Sequence, residues 1–176
     1  MKKKLLVLAI VAFGSLSVSN VFATAGTVNF TGEVLDTSCD VDIGSQNQTV
    51  PLGEYSKSEF TSAGYVTAAK KFDIVLKNCP SSVTSAKVRF DGEPDATDST
   101  LLAIDNSLAG AATGVAINLM SADKEQLPLH DEGSYSYTLS STDDNTLDFY
   151  AQYKSTADDV TSGPANSVAN FSVIYN

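Results

Sequence analysis

Apolar and polar side chains alternate with a period of two along most of this chain, the pattern of strands that bury one face. From Gly26 to Leu35 the run GTVNFTGEVL puts Val28, Phe30 and Val34 on one side, with Gly32 in the remaining inward place. Thr27, Asn29, Thr31 and Glu33 take the other side. Lys71 to Asn78 alternates in the same way, with Phe72, Ile74 and Leu76 inward, and stops at Cys79-Pro80. Further strands are expected at Ala86 to Phe90 (Ala86, Val88 and Phe90 inward) and Gly114 to Met120 (Val115, Ile117 and Leu119). Two more are expected at Ser134 to Leu139 (Tyr135, Tyr137 and Leu139) and Thr146 to Tyr153 (Leu147, Phe149, Ala151 and Tyr153). Val168 to Tyr175 closes the pattern with Ala169, Phe171, Val173 and Tyr175 on one side. Shorter extended runs are expected at Asp40 to Ile43, Gln48 to Leu52 and Leu101 to Ile104.

Glu54 to Ala63 is the single helix-like window, short and polar, ending at Gly64. Asp91 to Ser99 reads as loop, and Asp158 to Ala165, which contains Gly163-Pro164, reads as a turn region. Many short alternating strands separated by Gly, Asn, Asp and Ser, with no long helical period, predict an all-β sandwich in one domain. An amphipathic strand at each end of that pattern is unusual, because the ends of most domains are polar and fray.

The residues before the first strand change the picture of where the chain works. Lys2, Lys3 and Lys4, the apolar run Leu5 to Phe13 and the small-residue ending Val21-Phe22-Ala23 match a secretory signal peptide. The apolar run is shorter than the roughly 20 residues a membrane-spanning helix needs. Residues 1–23 are therefore expected to be removed, with Thr24 as the first mature residue and cleavage after Ala25 as the alternative. Loss of three lysines takes the formal net charge from -10 to -13. Such an acidic chain is a poor match for nucleic acid, whose phosphates are met by Lys and Arg. Export also gives meaning to the cysteine count. Cys39 and Cys79, the two cysteines of the chain, most simply pair in an oxidising compartment. Closing that loop stabilises the fold by about 4 kcal/mol on a chain-entropy argument.

Candidate chemistry is sparse. His130, in Leu129-His130-Asp131, is the one histidine, and no nucleophile-elbow motif accompanies it, so a solvated loop histidine is expected. The acidic pairs Asp143-Asp144 and Asp158-Asp159, and the stretch Asp91 to Asp98, lack the D-x-D-x-D-G spacing of a calcium loop. They read as a solvated acidic face. The tyrosines fall mostly on alternating strand positions, where core and rim of a sandwich explain them better than a sugar site. No catalytic group, metal or cofactor is expected.

Several runs, taken in order, resemble the structural pilins of chaperone-usher fimbriae, the type 1-like major fimbrial subunits of Gram-negative bacteria. They are GTVNFTGEV, the cysteines Cys39 and Cys79, QTVPLGEY after the first cysteine and KKFDIVLKNC leading into the second. ATGVAINL (Ala112 to Leu119), FYAQY (Phe149 to Tyr153) and the closing ANFSVIYN follow, with Tyr175 penultimate and Gly163 fourteenth from the end. One departure is the stretch between the expected cleavage site and Val28, which is short for such subunits.

The resemblance implies an incomplete immunoglobulin-like β-sandwich over residues 37–176, preceded at 24–36 by an N-terminal donor-strand arm. An apolar groove would lie beside the C-terminal strand, where a strand from another chain can add. A periplasmic chaperone would fill it first, and at the outer-membrane usher the arm of the next subunit would replace the chaperone. Val28, Phe30, Gly32 and Val34 would be the donor row, with Gly32 passing a crowded point. Gly163, Ala169, Phe171, Val173, Tyr175 and Asn176 would edge the groove, the Asn176 carboxylate being available to basic chaperone residues. The implied function is that of a structural subunit of an adhesive fimbria, exported through the periplasm to the cell surface and joined to copies of itself and other pilins. A minor adaptor subunit of the same fibre, or a monomeric secreted carbohydrate-binding sandwich, are the alternatives.

Overall fold

The structure, a computed structural model, describes residues 26–32, 34 and 38–176. The expected signal peptide 1–23, the two candidate cleavage sites and the positions Glu33 and Leu35 lie outside the described residues. The chain divides into two compact units, Met1–Val34 and Leu35–Asn176. In the first, residues 26–32 and 34 form no regular secondary structure, and Val28, Phe30 and Val34 are 73%, 93% and 98% exposed.

The second unit is built from eight strands. They are β1 (Asp40–Val41), β2 (Lys70–Lys77), β3 (Ser85–Asp91), β4 (Leu102–Ala103), β5 (Val115–Met120), β6 (Tyr137–Thr138), β7 (Asn145–Ser155) and β8 (Asn170–Tyr175). Five form an antiparallel sheet in the order β1-β2-β7-β5-β4, and three form a second sheet in the order β6-β3-β8. Cys39 and Cys79 are joined as a disulfide, and the bond ties the entry of β1 to the exit of β2.

The alternation read from the sequence sets which side chains meet between the sheets. On β2, Ile74 and Leu76 are fully buried, and on β3 the same is true of Ala86, Val88 and Phe90 within a few per cent. Register carries this across the sheet: Phe72 lies opposite Phe149 and Ile74 opposite Leu147. The two layers are locked by an aromatic cluster. Phe149 stacks on Phe72 at 5.5 Å and meets Phe90 of the facing sheet edge-on at 5.3 Å. Tyr137 packs on Phe149 from the same side as Phe90, and its hydroxyl donates to the Asp148 carbonyl at 2.6 Å.

The run expected as a strand at Gly26 to Leu35 forms none over its described residues, Leu101 to Ile104 pairs only at Leu102–Ala103, and four further expectations need correction. Gln48 to Leu52 is not a strand. β1 pairs only with the last two residues of β2, and the rest of that edge is met by other groups: Asp42 N–H donates to the Val75 carbonyl, the Ser45 hydroxyl accepts from Val75 N–H, and the Gln48 side chain donates to the Asp73 carbonyl. With Pro51 unable to donate, side chains replace a ladder there. Asp40 to Ile43 is extended only to Val41. Asp42 then accepts from Gly44 N–H and caps a single turn, α1 (Ile43–Gln46).

The window Glu54 to Ala63 contains only a 3-10 turn, Lys57–Glu59. Ser56 N–H donates to the Glu59 carboxylate and Ser58 N–H to the Ser56 hydroxyl, a capping arrangement with too little apolar surface behind it to propagate. Ser134 to Leu139 forms a ladder only at Tyr137–Thr138.

β5 departs from its pattern in a different way. All six of its residues are buried, although only Val115, Ile117 and Leu119 face the main core. Ala116 lies opposite Lys154, and Lys154 reaches Asp98 at 3.4 Å, so the loop leading to buried Leu101 covers the outer face. The outward row, Ala116, Asn118 and Met120, is thus buried as well as the inward one.

Burial pushes the Tyr137 hydroxyl well above the ordinary tyrosine pKa, and it pushes Tyr153 and Tyr175 the same way. A raised pKa of this kind contributes stability that is present below about pH 10, the unfolded value, and is lost as pH rises past it. The guanidinium midpoint should therefore fall between about pH 9 and pH 11, and in Tyr137→Phe it should fall less steeply, after a neutral-pH cost of about 1 kcal/mol for the lost hydrogen bond. Phe149→Ala, which empties the centre of the aromatic cluster, should cost about 3–5 kcal/mol in the same measurement.

Candidate functional site

β8 is the edge of its sheet, paired with β3 on one side only. Ser85 and Asn176 exchange both backbone hydrogen bonds, at 3.3 and 3.0 Å. In an antiparallel ladder such bonded pairs alternate with non-bonded ones. Along the register of β8, Ile174, Ser172 and Asn170 therefore turn N–H and C=O toward β3, and Tyr175, Val173 and Phe171 turn theirs away. Those three residues also point their side chains into the space between the sheets, where they remain only half-buried against the core. Unpaired backbone and uncovered core thus fall on the same three residues.

The opposite wall comes from the far edge of the other sheet. Val41 of β1 and Gln46 of α1 line an opening of about 360 Å3 with Ala169, Asn170 and Phe171. At the other pole the Tyr175 hydroxyl lies 3.4 Å from the Cys39 carbonyl. Upstream of β8 a second cleft, of about 410 Å3, is lined by Tyr55, Phe60, Tyr153, Gly163 and Ala165 among others. The two openings follow the segment 163–171.

Gly163 has a steric reason to be glycine. A Cβ there would overlap the Gly110 carbonyl oxygen and approach the Ala112 nitrogen to 2.8 Å, while Ala112 N–H donates to the Pro164 carbonyl. The cleft wall is two backbones in contact, which leaves no room for a side chain. Gly32 is different: a Cβ added there meets nothing within 4 Å, so nothing in the chain's own fold requires a glycine at that position.

The structure brings Ala169, Phe171, Val173 and Tyr175 to one edge, with Asn176 completing the pairing to Ser85. Val28, Phe30 and Val34 belong to the other compact unit and are exposed. Val41 and Gln46, which wall the groove, were invisible to periodicity, because a two-residue strand followed by one helical turn has no repeat.

Charge around the groove is mostly paired. Lys77 lies 2.8 Å from Asp42, and that contact, ahead of the Gly44 N–H bond, holds the Asp42 carboxyl below its usual range. At the β8 entry, Asp91 accepts from Arg89 at 3.1 Å and lies 3.0 Å from His130 Nδ1. The His130 contact is the first cause of its lowered pKa. His130 is held in a left-handed backbone conformation, φ 65°, with its N–H on the Phe90 carbonyl. It is half-exposed and serves as a surface partner of Asp91.

A family model described as fimbrial protein matches residues 28–176. The S-fimbrial protein subunit SfaG of Escherichia coli O6:K15:H31 is 39% identical over 163 residues, which cover 92% of this chain and 90% of that protein. The type-1 fimbrial protein A chain of Escherichia coli K12 is 37% identical over 181 residues, covering 98% and 99%. Among solved structures, the P pilus rod subunit PapA matches with a TM-score of 0.67 at 26% identity, over 80% of this chain and 100% of that one. A subunit from the structure of a chaperone-usher pilus matches at 0.64 and 28%, over 90% and 100%. With the incomplete two-sheet sandwich and its open edge, this places the chain in the fimbrial protein family, as a structural subunit of a surface fimbria.

Proposed function

We propose that copies of this chain join when residues 26–34 of one lie along the free edge of β8 in the next, as an added strand completing its sandwich. The observation that carries this reading is the coincidence on Phe171, Val173 and Tyr175 of outward backbone groups and half-buried core side chains. An added strand answers both needs at once. Its N–H and C=O groups pair with the edge, and its inward row covers the core.

Val28, Phe30, Gly32 and Val34 form that row. Three exposed apolar side chains on a segment without regular structure are costly to leave in water and suit burial in another chain. Gly32, which nothing in its own fold requires, fits a close approach to the accepting chain. Residues 1–23 serve export, 24–36 form the arm and 37–176 the body; the division of the compact units at Val34 and Leu35 falls close to that boundary.

An open core edge is also a hazard before assembly, since unpaired edges invite aggregation. A periplasmic chaperone that lends a strand to β8, and an outer-membrane usher where the arm of the next copy replaces it, meet that hazard. Copies of this chain and other pilin subunits are the partners in the fibre.

Phe30→Asp should abolish SDS-resistant polymer ladders while the chaperone complex still co-purifies, because β8 is untouched. Ladders of normal length from this variant would refute the donor row. Tyr175→Ser removes the half-buried ring at the accepting end, so it should lower the yield of chaperone complex and the periplasmic level of the subunit. Unchanged levels on immunoblots would count against the assignment of Tyr175 to the groove.

A further inference from the structure

We propose, resting on the strand-addition reading, that Ile43 and Val168 form the seat on which the folded body of the second copy lands when its arm fills the groove. Within residues 38–176 they are the two most exposed large aliphatic side chains described, at 84% and 80%. They stand on opposite lips of one opening. Ile43 lies between Val41 and Gln46 in sequence, and Val168 precedes Ala169; Val41, Gln46 and Ala169 line the same space.

Both are displayed by ordered backbone. The turn that carries Ile43 is capped by Asp42 and fastened to β2 through the Ser45 hydroxyl and Val75 N–H. The strand entry that carries Val168 is fastened by the Ser167 hydroxyl, which donates to the Ala103 carbonyl at 2.6 Å, and by Asp105 N–H, which donates to the Asn166 carbonyl. Both side chains are thus held out on fastened backbone at the rim of one opening, not on fraying ends.

The polarity of the groove says which partner. In the accepting chain Cys39, near the start of the body, lies beside Tyr175, so the covalent link to residues 26–34 is made at that pole. If the incoming arm ran so that its Val34 ended there, the incoming body would compete with the departing arm for the same space. An arm running the other way, antiparallel to β8, ends at Ala169, and successive copies then extend in line. From Val34 to Cys39 the chain advances five residues, which span at most about 18 Å when fully extended. The second body is thus tethered at the pole where Ile43 and Val168 project, and apolar lips let two acidic copies touch without opposing carboxylates.

The test uses the full chain assembled into fibres, with a photo-crosslinking residue in place of Ile43 or of Val168. The isolated SDS-resistant two-copy species, irradiated before denaturation, should yield crosslinks from both positions to residues of the other copy's body between 38 and 176. Ile43→Asp should leave the ladder intact and reduce the crosslink from position 168 several-fold. A ladder without crosslinks, or with crosslinks confined to residues 26–34, overturns the seat and leaves strand addition standing. Crosslinks seen in long fibres but absent from the two-copy species also overturn it, since they would belong to non-adjacent copies. Absence of any SDS-resistant ladder from fibres of the unsubstituted chain would reject strand addition and this inference with it.

Discussion

The organisation of this molecule depends on one incomplete edge. Every open sheet has edge strands, but β8, paired on one side only, is an edge whose inward side chains are also left half-covered against the core. Among the described residues the backbone groups of Phe171, Val173 and Tyr175 have no strand to meet on the outer side, and the side chains of the same residues are only half-covered. Neither defect is curable by rearranging loops. A loop could cover the side chains but would seldom match the regular spacing of N–H and C=O along an edge, which calls for an extended segment with alternating inward groups. Residues 26–34 carry such an alternating row in their sequence, and those described (26–32 and 34) form no strand.

Two glycines show how differently the same residue type can be constrained. Gly163 is fixed from within, because its backbone lies against the backbone at Gly110 to Ala112, and its role is legible once the fold is known. Gly32 has open space around it, so its constraint, if strand addition is the function, resides in a different copy of the chain. The sequence pattern could mark both as departures from their surroundings but could not distinguish an internal contact from an external one.

Strands with long alternating runs were readable because both their faces have one fate along their length. β2, β3 and β7 bury one row and wet the other, and β8 follows the same alternation even though its inner row is incompletely covered. Reading failed where the partner was not a strand. Gln48 satisfies the β2 edge through its side chain, so Gln48 to Leu52 carries strand-like residues without a ladder. Met120 and Ala116 are buried beneath a loop, which alternation cannot foresee. The wall formed by Val41 and Gln46 was equally hidden, since its position depends on the disulfide and on the bonds from α1 to β2. The rows Val28, Phe30 and Val34 and Ala169, Phe171, Val173 and Tyr175, by contrast, were visible from sequence because each alternates without interruption by a loop or turn.

Charge sets the remaining condition on how such chains come together. With 21 acidic residues against 11 basic ones, three of the latter in the expected signal peptide, neighbouring copies repel wherever unpaired carboxylates face each other. At physiological ionic strength that repulsion is screened beyond about 8 Å, so it matters only at direct contacts. Under the proposed strand addition, the groove meets this limit by making its contact from backbone and apolar groups. Nearby carboxylates are already engaged within the chain: Asp42 with Lys77, and Asp91 with Arg89 and His130. Surface pairs of this kind add little to stability, but they reduce the negative charge presented around an opening that, under the proposed strand addition, admits another acidic chain. The apolar row and the paired rim are therefore parts of one solution, in which solubility of the separate copies and close approach of the joined ones are assigned to different parts of the surface.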